Sequence, residues 1–127
     1  MKTKFRLLFW QAVFAAMTFM FATSARAEGP RDEIVHAYRL IASADADYGG
    51  HRGAAMEELH HAGKAIGLHL EGDAPEREHQ WKSDRKLTEA RRLLHEAKDK
   101  LEARDRDRVA DHVDRAIHEL DAALKVR

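Results

Sequence analysis

Apolar residues recur in a three-four rhythm over four stretches of the chain. In the first two stretches they are Ile34, Ala37, Ile41, Ala44 and Tyr48, then Met56, Leu59, Gly63, Ile66 and Leu70. In the last two they are Leu87, Ala90, Leu94, Ala97 and Leu101, then Ala110, Val113, Ile117, Leu120 and Leu124. This spacing is typical of helices with one apolar face, and it predicts four of them.

The second pair of stretches repeats the first pair. Ile34 corresponds to Leu87 at an offset of 53 residues, and Met56 corresponds to Ala110 at an offset of 54. The glycines in residues 49–53 predict a turn inside the first pair, since glycine readily supplies positive φ. The sequence therefore predicts an all-α fold of two tandem antiparallel helical hairpins, duplicated in pattern, that form a small four-helix bundle. The hairpins are expected over residues 30–71 and 83–127, with a linker over 72–82.

Local signals give the expected ends of the first two helices. Proline suits the first helical position, so helix 1 is expected to begin near Pro30 and to reach Tyr48. Helix 2 is expected to begin near Gly53. Gly67 is a possible stop for it, but the repeat equates residues 70 and 124 and favours Gly72 as the C-terminal cap.

The second pair of helices carries its own capping signals. Ser83 is a suitable N-cap for helix 3, which is expected to reach Ala103. Asp105 or Asp107 is expected to cap helix 4, which continues to about Val126.

The first 27 residues have the composition of a secretory signal peptide. Three basic residues precede an apolar run over residues 7–21, and Ala25-Arg26-Ala27 provides a cleavage site. The run is shorter than the roughly 20 residues that span a membrane. We therefore expect cleavage after Ala27 and an exported, periplasmic or secreted product without stable membrane insertion.

Removal of this segment changes the net charge of the protein. Residues 28–127 contain 18 basic and 22 acidic residues, which give a net charge of −4 with neutral histidine. Such a surface disfavours nucleic acid, because affinity for phosphates requires positive charge.

The chain has no cysteine, which excludes disulfides and thiolate sites. Leu, Ile, Val and Phe make up only 18 of these 100 residues, so a thin core completed by homodimerisation is the main structural alternative.

Nine histidines, all after residue 27, are the most unusual feature of the composition. Imidazole binds Zn, Ni and Cu, and Glu57, His60 and His61 share one turn of a helix. These three residues are the candidate weak metal site. The heptad positions of most histidines face solvent, however, which equally predicts solvated side chains without a fixed ligand.

Two short motifs invite comparison with a known class of metalloprotein. Glu33-x-x-His36 and Glu57-x-x-His60 resemble the Glu-x-x-His element of ferritin-like di-iron proteins. That resemblance implies inward-facing ligands, one set in each half of a bundle. The second half of this chain has no Glu-x-x-His, so the sequence departs from the pattern where a second set is needed.

The histidines also predict a response to pH. An unperturbed imidazole has a pKa near 6.5, so acidification to about pH 5 would take the charge of residues 28–127 from −4 towards +5. A bundle of marginal stability is expected to loosen or to change its association state below about pH 6.

The turn between the first two helices is the densest polar cluster. Asp47, Tyr48, His51 and Arg52 surround the glycines and form a candidate site for an anion or a partner. The structural alternative is that Asp47 pairs with Arg52 and Tyr48 closes the end of the bundle.

The chain lacks the motifs of common enzyme classes. It has no Gly-x-Ser-x-Gly elbow and no phosphate-cradling loop. We therefore expect a non-enzymatic bundle protein of the bacterial envelope that binds a partner or senses its environment, with a response to pH as one form of such sensing. The alternative is a periplasmic histidine-rich protein that binds or buffers metal.

Overall fold

The computed structural model describes residues 29–46, 48–72 and 80–126. Within these residues the protein is all-helical and contains four helices: α1 (Pro30–Ala42), α2 (His51–Ala65), α3 (Gln80–Glu102) and α4 (Asp107–Ala123). The predicted all-α class is therefore confirmed. The predicted signal peptide lies outside the described residues, and no described helix is long and apolar enough to cross a membrane.

Helices α1 and α3 pack together and run antiparallel. Glu33 near the start of α1 pairs with Lys100 near the end of α3. At the other end of the pair, the Lys86 ammonium donates to the Ser43 carbonyl oxygen at 2.9 Å. The two contacts place the end of each helix beside the start of the other.

Helices α2 and α4 form the second large contact, again antiparallel. His112 of α4 meets Glu58 of α2 at 2.8 Å, and His51 at the start of α2 meets Glu119 near the end of α4 at 2.8 Å. Smaller contacts join α1 to α2 and α3 to α4. Among the described helices, the backbones of the diagonal pairs α1–α4 and α2–α3 do not come close to each other.

These directions fix the topology of the bundle. We call the end where α1 and α4 begin the lower end, and the end where they finish the upper end. Since α2 and α3 run parallel, the chain must return from the lower to the upper end between them. Residues 66–72 run back along α1, and Gly72 passes so close that a Cβ there would lie 2.9 Å from the Cβ of Ala42.

The predicted apolar stripes form the core. All five stripe positions of the first and third stretches are buried, from Ile34 to Tyr48 and from Leu87 to Leu101. In the second and fourth stretches Met56, Ile66 and Leu124 are only partly buried. The core residues of the described helices include many alanines.

The first two helices are shorter than the sequence predicted. Helix α1 ends at Ala42, and the chain turns over residues 43–50. Helix α2 ends at Ala65 because Gly67 adopts a left-handed conformation with φ of +69°. The Leu68 amide donates to the Gly63 carbonyl at 2.8 Å, which closes the helix as in a Schellman motif. The prediction of Gly72 as the cap was therefore wrong.

The predicted caps of the last two helices were also wrong. Helix α3 begins at Gln80, so Ser83 lies inside it, fully buried. The Ser83 hydroxyl accepts a hydrogen bond from the Asp45 amide at 2.8 Å, beyond the end of α1. At the start of α4 the N-cap is Arg106, and no side chain caps the helix.

Candidate functional site

Tyr48, from the predicted turn site, closes the upper end of the core. Its side chain is fully buried, and its hydroxyl donates to Oδ1 of Asp84 on α3 at 2.8 Å. Burial, together with the hydrogen bond to Asp84, raises the pKa of the Tyr48 phenol well above its ordinary value. Tyr48 is therefore held inside the protein as a neutral donor, and it is not presented to a ligand.

Arg52 is used inside the fold as well. Its guanidinium Nη1 donates to three carbonyl oxygens at the end of α1, those of Ile41, Ala42 and Ala44, at 3.2, 2.9 and 3.1 Å. The Ile41 carbonyl also accepts from the Ala44 amide at 3.1 Å, but the last carbonyls of a helix lack the usual amide partners, so a cation at this point stabilises them. Asp47, the expected partner of Arg52, lies outside the described residues.

His51 is the member of the turn site that faces the neighbouring helix. Its Nδ1 lies 2.8 Å from Oε2 of Glu119 on α4, and both side chains are more than a third exposed. The structure thus distributes the turn residues among three separate contacts. The described ones do not converge on a common pocket.

The candidate metal ligands also diverge. His60 turns toward α1, where its Nε2 lies 2.8 Å from the Tyr38 hydroxyl. His61 turns toward α4 and stacks on the ring of His112, with centroids 5.4 Å apart. Glu57 is exposed. Within residues 29–46, 48–72 and 80–126, no three His, Asp or Glu side chains lie close enough together to hold a metal ion.

A group of four titratable or charged side chains bridges α2 and α4. We call it the imidazole seam, and it consists of Glu58, His61, His112 and Arg115. Oε2 of Glu58 lies 2.8 Å from Nδ1 of His112 and 3.1 Å from Nε of Arg115. Nη2 of Arg115 also lies 2.7 Å from that same Nδ1.

The contacts of His112 Nδ1 cannot all be favourable at once. With a proton on Nδ1, His112 donates to Glu58, but the Arg115 N–H then points at another donor. Without that proton, Nδ1 accepts from Arg115 and turns its lone pair toward the Glu58 carboxylate. Uptake of a proton by the ring enforces the first arrangement. The seam therefore changes its internal hydrogen bonding with protonation.

The carboxylate of the seam is held in its charged form. Burial alone would raise the pKa of Glu58, but hydrogen bonds and charge from His112 and Arg115 outweigh it and set the pKa below the ordinary value of 4.5. Between α3 and α4, the hydrogen bond from Lys98 likewise lowers the pKa of Asp114. Both carboxylates hold pairs of helices together as long as they remain ionised.

A buried ion pair was not predicted from the sequence. Glu33 is 1% exposed and pairs with Lys100 of α3, while its second carboxylate oxygen, Oε2, is buried without a hydrogen bond. A signal for its position exists, since Glu33 stands four residues before Ala37 and so lies on the apolar face. His36, its partner in the Glu-x-x-His motif, is exposed. The two side chains of that motif do not act together.

Fold and contacts define the protein as a small helical bundle with a titratable seam between α2 and α4. Comparison with protein-family models, with curated proteins and with solved structures finds no match to this chain.

Proposed function

We propose that the protein is an exported, non-enzymatic helical bundle of the bacterial envelope that senses pH through the imidazole seam and passes the change to a partner or to a second copy of itself. The observation that carries this proposal is the conflict at Nδ1 of His112, which faces both Glu58 and Arg115. A contact whose hydrogen bonds depend on one proton is suited to detect that proton.

Protonation changes the charge balance of the seam. When both rings are neutral, Arg115 faces the Glu58 carboxylate as the only cation of the seam. When His61 and His112 are both charged, His112 attracts Glu58 across the two helices. The stacked rings of His61 and His112 then repel each other at 5.4 Å, and Arg115 adds a third cation beside the single carboxylate. We expect the repulsion among the three cations to outweigh the gain at Glu58, so that charging both rings weakens the middle of the contact between α2 and α4.

The upper end of the same contact responds in the opposite sense. A charged His51 attracts Glu119, which lies 2.8 Å away. The expected effect of acid is thus a local opening of the seam, while the upper ends of α2 and α4 stay together. Such an opening exposes the alanine-rich surface between the two helices to a partner.

A pH titration of the protein recovered after expression of the full chain tests the proposal. Between about pH 7.5 and 5 we expect the melting temperature to fall by about 4 °C or more, or light scattering to report a new association state. His61→Gln/His112→Gln is expected to remove at least half of that change.

The matched control is His69→Gln/His95→Gln, which removes two exposed imidazoles outside the seam. It is expected to retain the full response. Unchanged circular dichroism, melting and scattering across this pH range would refute the proposal. Equal effects of the two double variants would show that total charge, and not the seam, is responsible.

The repeat of the sequence supports a finer proposal about the architecture. We infer that the bundle consists of two tandem antiparallel hairpins that arose by duplication. The offset of 54 residues carries Glu58 onto position 112, so the contact between Glu58 and His112 joins equivalent positions of the two halves. A contact of this kind is expected on the two-fold axis of a duplicated bundle.

Weak binding of Zn, Ni or Cu is the second candidate function. The observation that favours it is the proximity of the His61 and His112 rings, which come from different helices. Calorimetric titration with each metal separates the candidates. Stoichiometric binding tighter than about 1 μM would favour the metal function, whereas weaker or no binding is expected for a pH sensor.

A further inference from the structure

Three arginines surround a cavity at the lower end of the bundle. The cavity measures about 340 Å³ and lies between the start of α1, the end of α2 and the turn that joins α3 to α4. Arg31, Arg104 and Arg106 contribute its charged groups. A volume of this size accommodates a small organic molecule.

The floor of the cavity is apolar. Pro30, Ile66 and Leu101 line it, and Leu101 belongs to the buried core. The cavity therefore offers an occupant both a cationic rim and contact with the end of the core. A simple inorganic anion would satisfy the rim and leave the floor uncovered.

The fold separates charges that alternate in the sequence. Residues 104–108 have the sequence Arg-Asp-Arg-Asp-Arg, in which the positive and negative charges nearly cancel. Asp105 adopts a left-handed conformation with φ of +55°, and the Arg106 amide donates to the Leu101 carbonyl at 2.9 Å. In this tight turn Arg104 and Arg106 line the cavity, whereas neither aspartate nor any other carboxylate does.

The cationic rim is not neutralised by the rest of the described protein. Arg31 donates to the Ile66 carbonyl at the end of α2. Arg104 and Arg106 make no ion pair with any residue of the described ranges. Guanidinium groups without a carboxylate at one cavity repel each other, and a bound anion relieves that repulsion.

From this geometry we propose that the cavity binds a small organic anion, a carboxylate or a phosphate monoester with an apolar part. The planar guanidinium donates two parallel hydrogen bonds to either group, so both share one mode of recognition. The apolar part covers Pro30, Ile66 and Leu101. This site lies at the lower end and does not depend on the pH response of the imidazole seam.

Phenyl phosphate, benzoate and inorganic phosphate serve as probes in an NMR titration of ¹⁵N-labelled protein at constant ionic strength. Phenyl phosphate or benzoate is expected to bind with a Kd below about 1 mM and to shift the amides of Arg31, Leu101 and Arg104. Inorganic phosphate is expected to bind at least about tenfold more weakly, because it does not cover the apolar floor.

Arg104→Gln/Arg106→Gln is expected to weaken binding of the organic probe by about tenfold or more. The matched control is Arg39→Gln/Arg108→Gln, which removes two exposed arginines that do not line the cavity and should leave the Kd unchanged within about twofold. Thermal melts verify that both double variants fold.

Several results would overturn the inference. One is the absence of saturable shifts at the lower end with either organic probe. Another is equal weakening by the two double variants, which would mean that only net charge matters. Equal affinity for inorganic phosphate and phenyl phosphate would refute the role of the apolar floor and leave an inorganic anion site.

Discussion

Arg52 stabilises the turn after α1 by capping carbonyl groups. Its half-buried guanidinium donates to three carbonyl oxygens at the end of α1, where the helix leaves carbonyls short of amide partners; within the described residues, only the Ile41 oxygen of the three also accepts a backbone amide. From the sequence, Arg52 was expected to pair with Asp47 or to contact an anion or a partner, because a sequence does not show which carbonyl oxygens a side chain reaches.

Replacement of Arg52 tests the capping role. Arg52→Met retains most of the apolar stem and removes the donors, so the free energy of unfolding is expected to fall by about 2 kcal/mol, as measured by urea denaturation. Arg39→Met in the exposed last turn of α1 is the control, with an expected change below about 0.5 kcal/mol. A loss as small for Arg52→Met as for the control would contradict the capping role.

The ion pair between Glu33 and Lys100 leads to a second prediction about the stability effect of single residues. Lys100→Met leaves the Glu33 carboxylate buried without its cation, and the expected loss of stability is about 3 kcal/mol. Glu33→Leu/Lys100→Met removes both charges and is expected to regain most of that loss. Thermal and urea unfolding measure both variants, and a double variant no more stable than Lys100→Met would argue against a paired charge.

At the scale of the helices, the apolar stripes were enough to predict the four helices of the described residues and most of the core. Helix ends were harder, because the repeat suggested that residues 70 and 124 play the same role. The left-handed Gly67 ends α2 earlier, and Leu70 still reaches the core from the connection by packing against Gly63. Burial of a stripe position therefore did not require a helix there.

The candidate sites depended on contacts between helices, which a single sequence does not specify. Tyr48 and Arg52 were identified as notable residues, but their partners on α3 and at the end of α1 lie far along the chain or on the backbone. His60 and His61 are adjacent in sequence and point to different helices. Spacing along one helix could not reveal this divergence.

Replacement of glycine by alanine is expected to change the stability in opposite directions at two positions, Gly53 inside α2 and Gly67 in its C-terminal cap. Gly67→Ala forces a Cβ into the left-handed region and should cost about 1 kcal/mol. Gly53→Ala lies in a helix with open space around its Cβ and should gain about 0.5 to 1 kcal/mol. Urea unfolding distinguishes them, and a Gly67→Ala variant as stable as the parent would contradict the cap.

At the scale of the whole molecule, two ionised carboxylates connect helices: Glu58 connects α2 to α4, and Asp114 connects α3 to α4. Because the pKa of Glu58 is lower in the folded protein than its ordinary value of 4.5, its contribution is fully present above that value and is lost as the pH falls through the folded-state pKa. The same sign holds for Asp114.

Stability measured from about pH 5 to 3 is therefore expected to decline, and Glu58→Gln should show a decline smaller by about 1 kcal/mol. The comparison with Glu57→Gln, an exposed neighbour, separates the ion pair from total charge. An acid profile for Glu58→Gln that is parallel to that of the parent would exclude a role for the pair.

The return of the chain along α1 determines how the bundle bears mechanical load. Since α1 begins at the lower end and α4 finishes at the upper end, tension between Gly29 and Val126 acts along the helix axes. The interhelical contacts are then loaded in shear along their whole length and resist sliding together. A hairpin whose two ends leave from the same side would instead peel apart one turn at a time.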